Sequence, residues 1–372
     1  MTALTLSYLP LSDAAPLIVA HARGLFRAHG IEATLRRETS WTALRTALNR
    51  GEAQGAQMLY SMPLASACGL LGEDQLPLVV PWVLSRNGQG ITLNAAHRGR
   101  AAGDARALRS LAHERRDLGR PLVFCHTLRV GTHALWLRYW LAAGGIDPVR
   151  DVALITVPPP QMVANLRAGS VDGFCVGEPW NARAIADGLG FTALTTQEVW
   201  PDHPEKVCAF SASWTERHPE ATVATLRALH EAGRWLDDPA NHAEAAALLA
   251  RPEHLACDPA WIRARQGASV DYGDGRTATL AHAPAFARPG LNRPQAAHAL
   301  WFLSQLRRWG LHFGAPDYCG IVARVLRPDL HAAATGEPAS ALEPVRLADG
   351  TSFDGTDPEG YAAGFALKNL QG

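Results

Sequence analysis

The residues of this chain best suited to chemistry are scattered singly, each near a junction between a strand-like run and the element after it. His133 follows Gly131-Thr132, where "PLVFCH" gives way to the helical pattern "THALWLRYWLAA". An imidazole there gains from a bound anion, which favours the imidazolium, and loses from the helix N-terminus, which disfavours it. A structural histidine explains the position as well. Lys206, one of very few lysines in an arginine-dominated chain, ends the rigid loop "WPDHPE" and opens the apolar run "KVCAFSA". Lysine acts as a compact point charge where arginine would impose a planar fork. Gln89 sits in the Gly-flanked turn Asn87-Gly88-Gln89-Gly90 and can offer amide N–H groups or face solvent. Gly177, at the end of "VDGFCVG", can expose its backbone N–H at close range. Trp41, next to a plausible N-cap at Ser40, could wall a flat ligand or simply fill a core. Pro158-Pro159-Pro160 supplies loop shape without N–H donors.

Arrangements for covalent or acid/base catalysis are thin. There is no GxSxG, HExxH, GxGxxG or Walker-type run, and Asp13, Glu178 and Asp202 are read more simply as caps or local salt-bridge partners. Six cysteines, Cys68, Cys125, Cys175, Cys208, Cys257 and Cys319, lack metal-ligand spacing, so free and mostly buried thiols are expected and no metal or cofactor is called for. Binding of a small anion is the chemistry these residues suit.

The elements that must position them form a βα pattern. Residues 122–180 repeat an apolar strand, a loop and a helix three times, with Thr132, Pro160 and Gly177 at or beside the junctions. Helix starts of this kind attract anions because their first N–H groups have no intrahelical partner. Before them come "LTLSYLP" and "IEATLRRE" as strands around one helix, 13–30, then the helix "WTALRTALNRG" and the strands "AQGAQMLY" and "LPLVVPWVLS". The charged stretch 98–120 reads as a loop and a solvated helix. One long helical pattern starts at Thr215 and runs to 250, and "RPQAAHALWFLSQLRRWG" is an amphipathic helix ending at Gly310. Residues 315–372 have many Pro, Gly and Asp breaks and read as an irregular arm.

A chain of 372 residues with 47% hydrophobic content suits two α/β lobes. The expected architecture is a discontinuous first domain, 1–90 plus 207–372, with a second domain, 91–206, inserted and a ligand cleft between them. Thirty-five basic residues balance 35 acidic ones, which gives no electrostatic footprint for nucleic acid or an anionic membrane. No run approaches 18 apolar residues, and the first residues carry neither a basic n-region nor a lipobox cysteine, so a protein without membrane insertion, in the cytoplasm, is expected.

With those residues in view, the chain resembles the nitrate-binding proteins of ABC-type nitrate/nitrite uptake systems, a branch with the type II periplasmic-binding-protein fold. The likeness is densest in "GTHALWLRYWLAAGGIDPVRDVALITVPPPQMVANLRAGSVDGFCVGEPWNARAI" and "TTQEVWPDHPEKV", and includes "TSWTALRTALNRG" and "NGQGITL". The resemblance implies a nitrate or nitrite site made of Trp41, Gln89, His133, Pro159, Gly177 and Lys206. It also implies a distinction from bicarbonate-binding relatives, which have an acidic residue and a metal at the lysine position. Without an export signal, the resemblance points to a cytoplasmic nitrate/nitrite sensor that holds an RNA-binding antiterminator until the anion binds. The alternative is the substrate-binding component of a nitrate/nitrite ABC transporter, and a thiamine pyrimidine-precursor synthase is a third possibility on the same scaffold. On this reading His133 acts as an imidazolium, and Lys206→Ala removes anion affinity while leaving the fold intact.

Overall fold

The computed structural model describes residues 1–72, 76–100, 103–337 and 344–370. Parts of two expected features, 101–102 of the charged loop and 338–343 and 371–372 of the arm, lie outside the described residues. Two five-stranded mixed sheets make the two lobes. The first is ordered β2-β1-β3-β10-β4 and the second β7-β6-β8-β5-β9. In the first lobe β1 (Thr2–Tyr8) lies parallel to β2 (Ile31–Arg37) and to β3 (Gly55–Leu59). In the second, β6 (Leu122–His126) lies parallel to β7 (Val152–Thr156) and β8 (Gly173–Gly177). These parallel strands are the products of the βα repeats, whose crossover helices cover the faces.

Each sheet also receives one antiparallel strand from the chain that passes between lobes. β4 (Leu78–Arg86) ends the first lobe, and β5 (Gln89–Asn94) inserts antiparallel between β8 and β9 (Gly190–Thr195). β10 (Pro204–Ser211) returns and inserts antiparallel between β3 and β4. The pairing shifts the boundaries expected from sequence by two or three residues. Gln89 and Gly90 pair with Gly177 and Val176 in the second sheet, whereas Pro204 and Lys206 pair with Arg86 and Leu59 in the first. The returning chain also reaches back: Thr192 N–H donates to Tyr272 O at 2.8 Å, so part of the region after β10 lies on the second lobe.

The two crossing segments are fastened to one another. Asn87 (φ 59°) and Asp202 (φ 56°), one in each, adopt the left-handed conformation that non-glycine residues hold only with local support. That support is a hydrogen bond from Asn87 Nδ2 to Asp202 Oδ1 (3.3 Å), with further bonds to the carbonyls of His282 and Ala283 (both 3.1 Å). Arg86 Nη1 donates to Asp202 O at 2.7 Å across the same crossing.

Two expected helices are interrupted. The one after β1 breaks at Gly24 (φ 72°) into Ala15–Ala22 and Leu25–Ala28. The pattern from Thr215 divides into Ala212–Arg217, Pro219–Leu236 and His242–Leu249. Proline at the first position of a helix starts a new one, because its missing N–H would be unsatisfied there anyway, and Pro219 does this. Thr215 is therefore buried inside the short first piece, whose cap is Ser211. The arm is more regular than its composition suggests. It holds the helices Tyr318–Val325, Pro328–Thr335 and Pro358–Gly364 and a small Val345–Arg346/Ser352–Phe353 hairpin. Tyr361 and Glu359 bond to Trp301 Nε1 (3.2 Å) and Arg307 Nε (2.9 Å) of the Ala296–Arg308 helix. Tyr139 of the second lobe donates to Asp349 at 2.6 Å, so the arm ties both lobes together. Among the described residues no helix is long and apolar enough to cross a membrane.

Candidate functional site

The lobes meet where β3, β5, β8 and β10 bring their ends together. Ser40 caps the Trp41–Asn49 helix by accepting from Ala43 N–H at 3.1 Å, which fixes Trp41 in the first turn. Gly131 opens the Thr132–Ala143 helix against the first lobe, so close that a Cβ there would lie 2.5 Å from Leu59 Cδ1. Ser61 Oγ donates to Val130 O at 2.8 Å, and Ser12 N–H donates to Glu178 O at 2.7 Å, so the lobes are closed on each other.

Across that closure runs one hydrogen-bonded chain. Trp41 Nε1–H donates to Thr127 Oγ1 (3.0 Å), and the Thr127 hydroxyl sits 2.7 Å from His133 Nδ1. His133 Nε2 is 2.7 Å from Gln89 Oε1, and Gln89 Nε2 donates to Asp13 Oδ2 at 3.1 Å. Because Gln89 turns its carbonyl to the ring, Nε2 carries the imidazole proton and Nδ1 accepts from Thr127. At the far end Lys206 Nζ contacts Asp13 Oδ2 at 2.9 Å and Glu205 Oε1 at 3.2 Å. Gly177 lies against the same groups, and a Cβ on it would stand 2.8 Å from Gln89 Oε1 and 3.1 Å from Asp13 Oδ2. The structure thus assembles Trp41, Gln89, His133, Gly177 and Lys206. Pro159 is buried at the start of its own short turn, where its carbonyl accepts from Met162 N–H, and it is not among the partners in the Trp41-to-Lys206 series.

Two details depart from expectation. Lys206 was expected at the edge of a cleft, where its loss would leave the fold intact; instead the side chain is 0% exposed. Burial works against its ammonium, but Asp13 and Glu205 outweigh it and hold Lys206 above its ordinary range. Removing the ammonium would strand two buried carboxylates, and that uncompensated charge is what makes the loss costly. His133 is expected as an imidazolium with an anion bound; in the protein itself burial first, then the charges of Lys206, His126 and His203, push it well below its ordinary value and favour the neutral ring.

Asp13, Glu205, Thr127 and Gln57, whose Nε2 donates to Asp13 Oδ1, are members that the motifs did not assign to the site. Asp13 was read as a cap or a local salt-bridge partner; its partner is instead Lys206, distant in the chain and on the returning strand. Glu205 precedes Lys206 on a strand, where alternation sends neighbouring side chains to opposite faces. The pairing of β10 with β4 is irregular at Pro204, Lys206 and Val207, and this bulge lets both side chains converge. Thr132 Oγ1, Trp136 Nε1 (2.9 Å) and Lys206 all donate to Glu205, which is held from three sides. Trp136 itself lies in an aromatic cluster with Trp301 (5.5 Å, stacked) and His203 (4.6 Å), which makes this wall rigid.

Residues 1–250 match the family model described as the NMT1-like family. The chain belongs to that family. It is 38% identical over 385 residues to the nitrate/nitrite binding protein NrtA of Synechococcus elongatus, covering 99% of this chain and 87% of that protein. It is also 38% identical to the bicarbonate transport ATP-binding protein CmpC of the same species, covering 96% of this chain and 54% of CmpC, about half its length. The crystal structure of the periplasmic nitrate-binding protein NrtA from Synechocystis PCC 6803 superposes with a TM-score of 0.94 at 32% identity, covering 99% of each chain. The two-lobed α/β architecture is therefore that of the periplasmic binding proteins.

Proposed function

We propose that this chain binds nitrate or nitrite between its lobes and serves as the substrate-binding component of an ABC-type uptake system. The observation that carries the reading is the buried Lys206 ammonium at the interlobe boundary. It has an imidazole N–H, an amide and a glycine without Cβ grouped beside it, and a tryptophan behind them. A flat, singly charged and weakly hydrated anion needs few donors, and charge-assisted contacts of about 1.5 to 3 kcal/mol each are enough for roughly micromolar affinity. Sulfate or phosphate would ask for more converging donors than this cluster offers. The relatives are named for anion binding and transport, which supports a non-enzymatic role.

Calorimetry with nitrate, nitrite, bicarbonate and sulfate tests the reading, with about micromolar binding of the first two and at least ~100-fold weaker binding of the others expected. Equal affinity for bicarbonate, or none for nitrate and nitrite, would refute it. The named relatives favour the transporter component over the sensor role. Fractionation that places the protein in the cytoplasm, together with a nitrate-released complex with an RNA-binding antiterminator, would reverse that preference.

A further inference from the structure

We propose that anion binding at this site is proton-coupled: the incoming anion takes Lys206 from Asp13, and the Asp13 carboxylate, left without its cation, takes up one proton. The inference rests on the reading that the anion binds at Lys206.

The charge balance requires a proton. The buried cluster holds two carboxylates, Asp13 and Glu205, one ammonium, Lys206, and a neutral imidazole, so it already carries one net negative charge. A second negative charge placed there would face a carboxylate across a few ångströms of buried space. Nitrate is the conjugate base of a strong acid and brings no proton with it.

Geometry selects Asp13 as the acceptor. Glu205 is 0% exposed and keeps Thr132 and Trp136 as donors whatever happens to Lys206, with His203 Nδ1 3.5 Å away. Among the described residues Asp13 keeps only the amides of Gln57 and Gln89, and Gln89 is itself part of the anion's surroundings. Asp13 also lines a cavity of about 330 Å³, together with Ser12, Ser85, Asn87, Glu178 and Arg265, whose lining does not include Lys206. That cavity gives its carboxyl an approach that Lys206, Glu205 and His133 lack.

The other groups packed around Asp13 do not take the proton. Glu178, next to Gly177, is also raised by burial, but it keeps Arg265 at 3.2 Å, a cation the anion does not take away, and Arg86 of β4 donates to the carbonyls of Leu291 and Asp202. His133 and His203 are held below the neutral range by burial, as is His126 behind them, and burial raises the Cys175 thiol. Burial also raises Asp13 while Lys206 opposes it, so losing Lys206 to the anion moves Asp13 further up.

The test is nitrate calorimetry on the full chain at one pH in two buffers of different ionisation enthalpy, repeated across the neutral range. Uptake approaching one proton per nitrate is expected, with the dissociation constant rising by up to tenfold per pH unit. Asp13→Asn should bind nitrate without proton uptake and with a flat pH profile. Nitrate binding by the wild-type chain with no proton exchanged overturns the proposal, as does loss of the uptake in Glu205→Gln but not in Asp13→Asn. Failure of the wild-type chain to bind nitrate at any pH instead overturns the functional reading, and this inference with it.

Discussion

Lys206→Met is the most informative single change, because it keeps the length of a fully buried side chain and deletes only its charge. Asp13 and Glu205, 2.9 and 3.2 Å from the ammonium, would then be left as buried carboxylates without a cation. Removing one partner of a buried pair costs about 3 to 5 kcal/mol. With an unfolding entropy of roughly 2.1 cal/mol/K per residue, 372 residues lose about 1.3 °C per kcal/mol, so Tm should fall by roughly 4 to 6 °C. The deficit should depend on pH. Asp13 is already raised by burial, and without Lys206 it rises further. An acid whose folded-state pKa exceeds its unfolded value of about 3.9 contributes stability at low pH that is lost as pH rises through the folded value. The variant should therefore lie closest to wild type near pH 5 and furthest below it near pH 8, as thermal unfolding followed by circular dichroism would show. A variant as stable as wild type at pH 8, or a deficit equal at every pH, would refute the assignment of Lys206 as counter-ion to this pair.

Thr127→Val removes the link between Trp41 and His133, leaving an indole N–H and a ring nitrogen unpaired; a loss of about 1 to 3 kcal/mol in urea unfolding and roughly tenfold in nitrate affinity are expected. Gly177→Ala places a methyl group 2.8 Å from Gln89 Oε1 at a position whose φ is not left-handed, so binding should weaken by about tenfold or more, and displacing the buried Gln89 should lower Tm as well. Equal nitrate affinity in that variant would remove Gly177 from the site. Asp202 is held below its ordinary range because His282 and Arg288 outweigh its partial burial, so its contribution is present above about pH 4 and fades as pH falls through the folded value. Because it is partly exposed, its ion pairs should contribute no more than about 1 kcal/mol at pH 7 and nothing in acid, so an alanine there should keep in acid only the pH-independent loss of the Asn87 contact.

Periodicity alone located the βα repeats, the cap at Ser40 and the long amphipathic helix before Gly310, because each is a local pattern of apolar spacing and end chemistry. Helix interruptions at Gly24 and Pro219 were also local, yet apolar spacing continues across both and hid them. The types of the site residues were legible one by one, since Trp41, Gln89, His133, Gly177 and Lys206 each stand near an element boundary. Their charge states were not. Whether His133 carries a proton, and whether Lys206 faces solvent or two carboxylates, depends on which groups burial brings within about 3 Å, and Asp13 lies 193 positions from Lys206 in the chain. Glu205 shows the same limit at the shortest range: adjacency on a strand sends it away from Lys206, and only a bulge formed by pairing with a distant strand turns both to one place.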